Sequence, residues 1–362
     1  MSKKIFCMFV SLLLLSSVGF GENGIKWVDA KTLTIEGRGW NEPSNFYNRL
    51  PASAEKAVTS PVWRLSHDSA GIVVRFSSDA SKIFVKWKLR SKKLAFERMP
   101  SSSVSGIDLY VRHNDEWRWL ANGVPDNYPV SQALLAEDIP EGWKDYLMYL
   151  PLYNGVHSVE IGIPKKTSIK PFPRLPASRP IVVYGSSIAQ GSAASRPGTA
   201  YVAILGRLLD SPIINLGFSG TATMEASIVD LLAQIDAKLF FIDAMPNMTA
   251  TEVYQASGNL VRTLRKKHPK TPIVLVEDRF YQDGFLQKTR LEKNLNNHRE
   301  LKRSFADLQK AGISNLHYID AENQLGIDGE GTVDGSHPND LGFDRMAKHF
   351  ASSLKEIVAK NH

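Results

Sequence analysis

The 362-residue chain has a single cysteine, Cys7. One thiol closes no disulfide and builds no cysteine-based metal site, which excludes a stapled secreted scaffold and a zinc ribbon. Long apolar runs are missing too. The main one, Ile5 to Val18, has 14 residues, short of the roughly 20 that a membrane-spanning helix needs. No internal repeat or low-complexity segment is present. Charge is only mildly basic, +7 from 44 Lys and Arg against 37 Asp and Glu, and scattered. The densest spots, Lys165 to Arg179 and Arg265-Lys266-Lys267, read as solvated faces and match no nucleic-acid-binding module. An acidic polysaccharide remains open as a partner.

What is there begins with an export pattern. Met1-Ser2-Lys3-Lys4 is basic, the apolar run follows, and Gly19-Phe20-Gly21 supplies small residues before Glu22. This is the grammar of a cleaved secretory signal over 1–21; the alternative is a buried N-terminal strand or helix. Cys7 lies inside the leader, too early to be the lipid-bearing first residue of a mature lipoprotein. The expected mature protein is periplasmic or extracellular, with no stable membrane anchor. Loss of Lys3 and Lys4 lowers 44 basic side chains to 42 against 37 acidic ones, a net charge of +5.

The length suggests about two domains, each able to bury a core without staples. Residues 22–164 read as strands. Ile83, Val85, Trp87 and Leu89 share one face, and Ile107, Leu109 and Val111 alternate with Asp108, Tyr110 and Arg112. The turn His113-Asn114-Asp115-Glu116 then leads into Trp117-Arg118-Trp119, a hairpin. Gly71 to Phe76, Tyr146 to Leu152 and Ser158 to Ile163 are further strands. Many short strands without a clear helix imply an all-β sandwich. All seven tryptophans fall here (Trp27, Trp40, Trp63, Trp87, Trp117, Trp119, Trp143). They can line a sugar-stacking surface or fill the core, and the phase of Trp87 favours core for most of them.

Residues 165–180 hold Pro171, Pro173, Pro176 and Pro180, a semi-rigid linker. From 181 to 362 strands and helices alternate. Strands are expected at Ile181–Tyr184, Pro212–Leu216, Leu239–Asp243, Ile273–Val276 and Asn315–Ile319. Helical patterns lie at Tyr201–Leu209, Met224–Ile235, Thr251–Lys267, Leu286–Ala311 and Asp340–Lys360. That order implies a parallel, three-layer α/β domain.

Ligands in such sheets bind beyond the carboxyl ends of the strands, and four loops there carry chemistry. The first strand ends in Gly185-Ser186-Ser187-Ile188, and Gly191 follows. The second and third lead into Gly217-Phe218-Ser219-Gly220 and Met245-Pro246-Asn247-Met248. The last loop, Asp334-Gly335-Ser336-His337, runs into Asn339, an expected N-cap. A serine hydroxyl becomes nucleophilic when a histidine takes its proton and a carboxylate fixes the histidine tautomer. Asp334 and His337, three residues apart, can meet locally. Backbone N–H groups of Ser187 and Gly220 and the Asn247 amide are suitable oxyanion donors in kind. Taken singly, each is as readily a turn residue.

The order Ser, Gly, Asn, then Asp-x-x-His resembles the SGNH (GDSL-like) hydrolases. Gly106-Ile107-Asp108-Leu109-Tyr110 is similar to the Gly-x-Asp-Leu-Tyr motif of a β-sandwich domain fused to such hydrolases. The resemblance implies a flavodoxin-like α/β/α domain behind the sandwich. It implies Ser187 as nucleophile, His337 as base, Asp334 as its partner, and Ser187, Gly220 and Asn247 as oxyanion donors. Here the Asp of Gly-Asp-Ser-Leu is Ser186, so two hydroxyls stand side by side, with Ser187 in the motif's serine position. The family's Gly-x-Asn-Asp becomes Met245-Pro246-Asn247-Met248.

Gln190, Arg196 and Arg279 are further candidates, as substrate contacts. For the arginines a loop-stabilising salt bridge is the other reading. Arg279 to Arg290, with Phe280, Tyr281 and Phe285, reads either as a lid or as loop packing. The expected activity is hydrolysis of small acyl esters, acetyl above all, on an acylated carbohydrate or another small ester, with no cofactor or metal. A lipase would show an apolar surface segment near the site, and none is legible. An acyltransferase of the same fold and an inactive carbohydrate-binding protein are the alternatives.

Overall fold

A computed structural model describes residues 24–41, 46–174 and 178–359. The leader expected at 1–21, with Cys7, lies outside the described residues, as does Pro176. In chain order the first half runs β1 (Ile25–Asp29), β2 (Thr34–Glu36), α1 (Ser60–Ser66), β3 (Val73–Ser78), β4 (Ile83–Leu89), α2 (Ser101–Val104) and β5 (Ile107–His113). It continues with β6 (Glu116–Gly123), β7 (Val130–Ala136), β8 (Lys144–Tyr149), β9 (Val156–Pro164) and β10 (Ile169–Pro171).

These strands form two antiparallel sheets. One has the order β1-β9-β4-β7; the other runs β10-β3-β8-β5-β6, with β2 also paired to β3. Their inward residues alternate and meet in one core, where Val85, Trp87 and Ile161 of the first sheet face Phe76, Leu109 and Tyr146 of the second. Trp87 is fully buried there, its indole N–H donating to the Ser105 carbonyl at 2.9 Å, so the wide ring fills the core without an orphaned donor. It is the exception among the tryptophans. Trp27, Trp40, Trp63 and Trp117 are half-buried and Trp119 and Trp143 are exposed, which corrects the expectation of core for most. The proline-rich stretch is partly pinned, because β10 lies within it and pairs with β3.

The second half holds β11 (Ile181–Gly185), α3 (Ser187–Gln190), α4 (Tyr201–Leu208), β12 (Ile213–Gly217), α5 (Ala226–Leu232) and β13 (Leu239–Asp243). Then come α6 (Ala250–Lys267), β14 (Ile273–Val276), α7 (Lys288–Lys310), β15 (Leu316–Ile319) and α8 (Asp340–Ala359). The sheet is wholly parallel in the order β12-β11-β13-β14-β15. This is the flavodoxin-like order, and the strand order reverses between β11 and β13. The central strands β11, β13 and β14 are apolar on both faces, as a sheet covered by helices on both sides requires. Val182, Tyr184, Phe240 and Ile242 point toward α5, α6 and α7. Ile181, Val183, Leu239 and Phe241 point toward α4 and α8.

The two halves interlock. Leu50, Ala54, Val58, Val62 and Leu65, on and before α1, pack in the α5–α7 core of the parallel sheet. Between the halves, Asp108 and Tyr110 of the Gly-x-Asp-Leu-Tyr motif grip the loop after α3. Asp108 accepts from Arg196 Nη1 at 2.7 Å and from the Gly198 amide at 2.8 Å on one oxygen, and from Trp119 Nε1 at 2.8 Å on the other. Tyr110 accepts from the same Arg196 nitrogen at 2.6 Å. Only glycine fits at 198, where a Cβ would lie 2.4 Å from the Tyr110 ring.

Candidate active site

The site lies at the carboxyl ends of β11, β12 and β13, beside the point of strand reversal. At the end of β11 the two serines divide their tasks. Ser186 is fully buried and caps α3, its Oγ accepting from the Ile188 amide at 3.3 Å. Ser187, 8% exposed, turns its Oγ to His337 Nε2 at 3.0 Å. The chain leaves α3 through Gly191 at φ +105°, a left-handed position that suits glycine.

His337 arrives on a closed loop between β15 and α8. Thr332 and Pro338 form a bridge across its base, and Val333 donates to the His337 carbonyl at 2.9 Å. Asn339 then caps α8 by accepting from the Gly342 amide at 3.0 Å. Within the loop His337 Nδ1 meets Asp334 Oδ2 at 2.9 Å, while the amides of His337 and Ser336 donate to Oδ1 at 2.8 and 3.0 Å. Burial pushes the Asp334 carboxyl up, but those amides and the imidazole outweigh it and hold the group down at about 2. The carboxylate is therefore ionised at neutral pH. It fixes Nδ1–H of the ring, which leaves Nε2 free to accept the Ser187 proton.

Gly220 and Asn247 lie on the loops after β12 and β13, the strands that flank β11. Gly220 is exposed at φ +74°, and Asn247 is exposed on a single 3₁₀ turn, Met245–Asn247. The β12 loop is pressed against α3. A Cβ at Gly217 would lie 2.3 Å from the Gln190 amide nitrogen, so no side chain can stand there. Gln190 is fully buried and holds this loop: its Oε1 accepts from the Ser219 amide at 3.0 Å, and its Nε2 donates to Asp68 Oδ2 at 3.0 Å and to Leu152 O at 3.2 Å. Arg49, also buried, donates to the Gly217, Asn215 and Leu65 carbonyls from beneath. Burial pushes the Asp68 carboxyl up to about 6 against the opposing pull of Arg49 and Gln190.

The other two candidate contacts are likewise committed to protein partners. Arg196 is bound to Asp108 and Tyr110, as described above. Arg279 is buried and braces the histidine loop, with Nε to the Ser336 carbonyl at 2.9 Å, Nη2 to Ser336 Oγ at 2.5 Å and Nη1 to Asp278 at 3.1 Å. Behind it stands His298, bracketed by Asp278 at 3.0 Å and Glu277 at 3.6 Å. Burial opposes the charge on His298, yet these carboxylates prevail and hold its pKa above the ordinary value. Among the described residues no cluster of three metal-ligating side chains occurs.

Sequence reasoning missed Arg98, which reaches from the β-sandwich half to Asp334 Oδ2, the oxygen that His337 also uses. The segment Arg279 to Arg290, expected as a lid or as loop packing, carries an exposed apolar tip. Phe285 and Leu286 are 80% and 76% exposed, on the segment whose Gln282 amide donates to the Gly335 carbonyl at 2.9 Å. The same segment is packed at its root, with Phe280 against His298 and Tyr281 beneath Arg290.

Fold and site together define an α/β hydrolytic enzyme with a serine-centred site, joined to a β-sandwich. The family profile of GDSL-like lipases and acylhydrolases matches residues 178–355, and that of the GxDLY domain, the N-terminus of SGNH-hydrolase-type esterases, matches 25–169. The chain belongs to the GDSL-like lipase/acylhydrolase family, in its form with a GxDLY N-terminal domain. A protein of Bacteroides ovatus ATCC 8483 described as a GDSL-like lipase is 34% identical, with TM-score 0.88 over 92% of this chain and 98% of that one. The salicylyl-acyltransferase SsfX3 of a tetracycline biosynthetic pathway shares the fold at 17% identity, TM-score 0.72, over 92% and 97%. A family two carbohydrate esterase from Cellvibrio japonicus shares it at 12% identity, TM-score 0.60, over 92% and 98%. A search of curated proteins gives no match.

Proposed function

We propose that this protein is an exported serine esterase that removes small acyl groups, acetyl foremost, from a carbohydrate. The observation that carries the chemistry is the unbroken chain Ser187 Oγ–His337 Nε2, His337 Nδ1–Asp334 Oδ2, at 3.0 and 2.9 Å. In this reading His337 takes the Ser187 proton as Oγ attacks the ester carbonyl. The developing oxyanion is met by the N–H groups of Ser187 and Gly220 and the Asn247 amide. Collapse breaks the ester C–O bond, and the leaving alcohol takes the proton from His337 Nε2. Water, deprotonated by the same nitrogen, then frees the acid from the acyl-enzyme. Export rests on the N-terminal pattern. No helix among the described residues is long and apolar enough to cross a membrane. The carbohydrate rests on export, on the sandwich half and on the carbohydrate esterases that share the fold.

The test compares the wild type with Ser187→Ala and Ser186→Ala on an aryl acetate and on acetylated plant polysaccharides. Ser187→Ala should lose about 10⁴-fold or more in kcat. Ser186→Ala should lose chiefly stability, about 1 kcal/mol for a helix cap. Retained turnover in Ser187→Ala overturns the proposal. Ester formation with an added alcohol at the expense of acetate release would favour acyl transfer, the activity named for the salicylyl-acyltransferase of the same fold.

A further inference from the structure

The segment Lys93–Arg98 belongs to the β-sandwich half but stands over both ends of the Ser187–His337–Asp334 chain. It is closed on itself by paired bonds between Phe96 and Met99 at 3.0 and 3.1 Å, and Met99 is buried in the core beneath α4 and α8. Phe96 packs edge-on against Tyr153 at 5.9 Å between centroids, and the Tyr153 hydroxyl donates to the Ser187 carbonyl at 3.3 Å. Two residues on, Arg98 binds Asp334. The segment thus forms a wall from the nucleophile to the acid.

Its chemistry is one-sided. Lys92, Lys93 and Arg98 are exposed and Glu97 is the one acid among them. The Lys93 ammonium sits 4.4 Å from the centroid of the partly exposed Phe96 ring. The Arg98 side chain is 55% exposed, and one nitrogen on Asp334 leaves the rest of its five-donor fork available. Across the site Arg290 pairs with Asp283, and Lys293 donates to the Pro246 carbonyl at 3.1 Å.

We propose that Lys93, Phe96 and Arg98 form a leaving-group subsite for a saccharide that carries a carboxylate. The inference rests on the esterase reading for its orientation. The departing oxygen takes its proton from His337, so the alcohol half of the ester lies on the histidine side of Ser187, where this wall stands. Phe96 offers a face for a sugar ring, and the two cations offer charge-assisted bonds to a carboxylate beside it.

The experiment has a binding arm and a turnover arm. Binding of an oligogalacturonide and of a neutral xylo-oligosaccharide is measured on Ser187→Ala, with and without Arg98→Gln or Lys93→Gln. Turnover of acetylated forms of both, with 4-nitrophenyl acetate as the uncharged small ester, is measured on the wild type and the two Gln variants. The uronate should be favoured in both arms. Each Gln variant should reduce that preference about five- to tenfold, the scale of one partly exposed charge-assisted contact, and added salt should reduce it further. Equal binding of the two oligosaccharides overturns the proposal. So does a fall in turnover that is the same on charged and uncharged esters, because Arg98 would then only steady Asp334. Charge-dependent binding without turnover of any ester keeps the subsite and removes the esterase reading.

Discussion

Asp243 is a carboxyl group in a place that disfavours its charge, and replacing it with asparagine gives a prediction whose sign changes with pH. It ends β13 one strand from Ser187, is 3% exposed, and its carbonyl accepts from the Ser186 amide at 3.3 Å. One side-chain partner, the Tyr201 hydroxyl at 2.9 Å, serves it. Burial pushes the carboxyl up to about 7, assisted by Asp278 and opposed by Tyr201 and Arg279. The folded state therefore holds a proton that the unfolded chain releases near pH 4, and stability falls as pH rises from about 4 to 7. A difference of about three pKa units corresponds to about 4 kcal/mol once Asp243 is ionised. In Asp243→Asn the amide oxygen takes the place of Oδ2 and accepts from Tyr201, while a new buried NH₂ costs about 1–2 kcal/mol if unpaired. The variant should thus be about 2–3 kcal/mol more stable than the wild type at pH 8 and about 1–2 kcal/mol less stable at pH 4. Urea unfolding of both proteins across pH 4–8.5 reads this directly. The difference between them isolates Asp243 from Asp68, whose raised value contributes the same slope to both proteins and cancels. A constant offset across the range would refute the reasoning, since it would mean that Asp243 does not change charge in the window.

Asp108→Asn should destabilise the protein by about 3 kcal/mol, because it leaves Arg196, the Gly198 amide and the Trp119 indole facing an amide in place of a buried carboxylate; denaturant midpoints decide it, and a loss under about 1 kcal/mol contradicts the latch. Gln190→Leu removes the acceptor of the Ser219 amide and should lower kcat on an aryl acetate about 10- to 100-fold with KM little changed, as expected for a misplaced oxyanion donor; an unchanged kcat detaches this loop from catalysis.

The sequence was most readable where structure is local. The strands β11, β13 and β14 carry unbroken apolar runs, and their observed limits fall within a residue of those expected. Asp334 and His337 meet within one turn, so their spacing alone brought them together. The short elements β1, β2, β7, α1 and α2 were not read. The strands among them are only partly buried, and the helices are too short to show a period. The tryptophans misled because an indole serves equally well lying half-covered on a sheet. Gln190, Arg196 and Arg279 were expected as substrate contacts and are instead bound to protein groups, because polarity does not say whether a side chain faces a ligand or another strand. Arg49, Asp68 and Arg98 lie between 89 and 138 positions from Ser187, and no local pattern could have tied them to it.

The interlocking of α1 with the parallel sheet bears on how the chain can be divided. Leu50, Val62 and Leu65 cover apolar surface of the α/β layer, and the Arg49 guanidinium satisfies carbonyls at the end of β12. A fragment beginning at residue 178 would lose that cover, expose the face to water and leave those carbonyls without their donor. Recombination that treats the catalytic half as a portable cassette would therefore have to carry residues 49–68 with it.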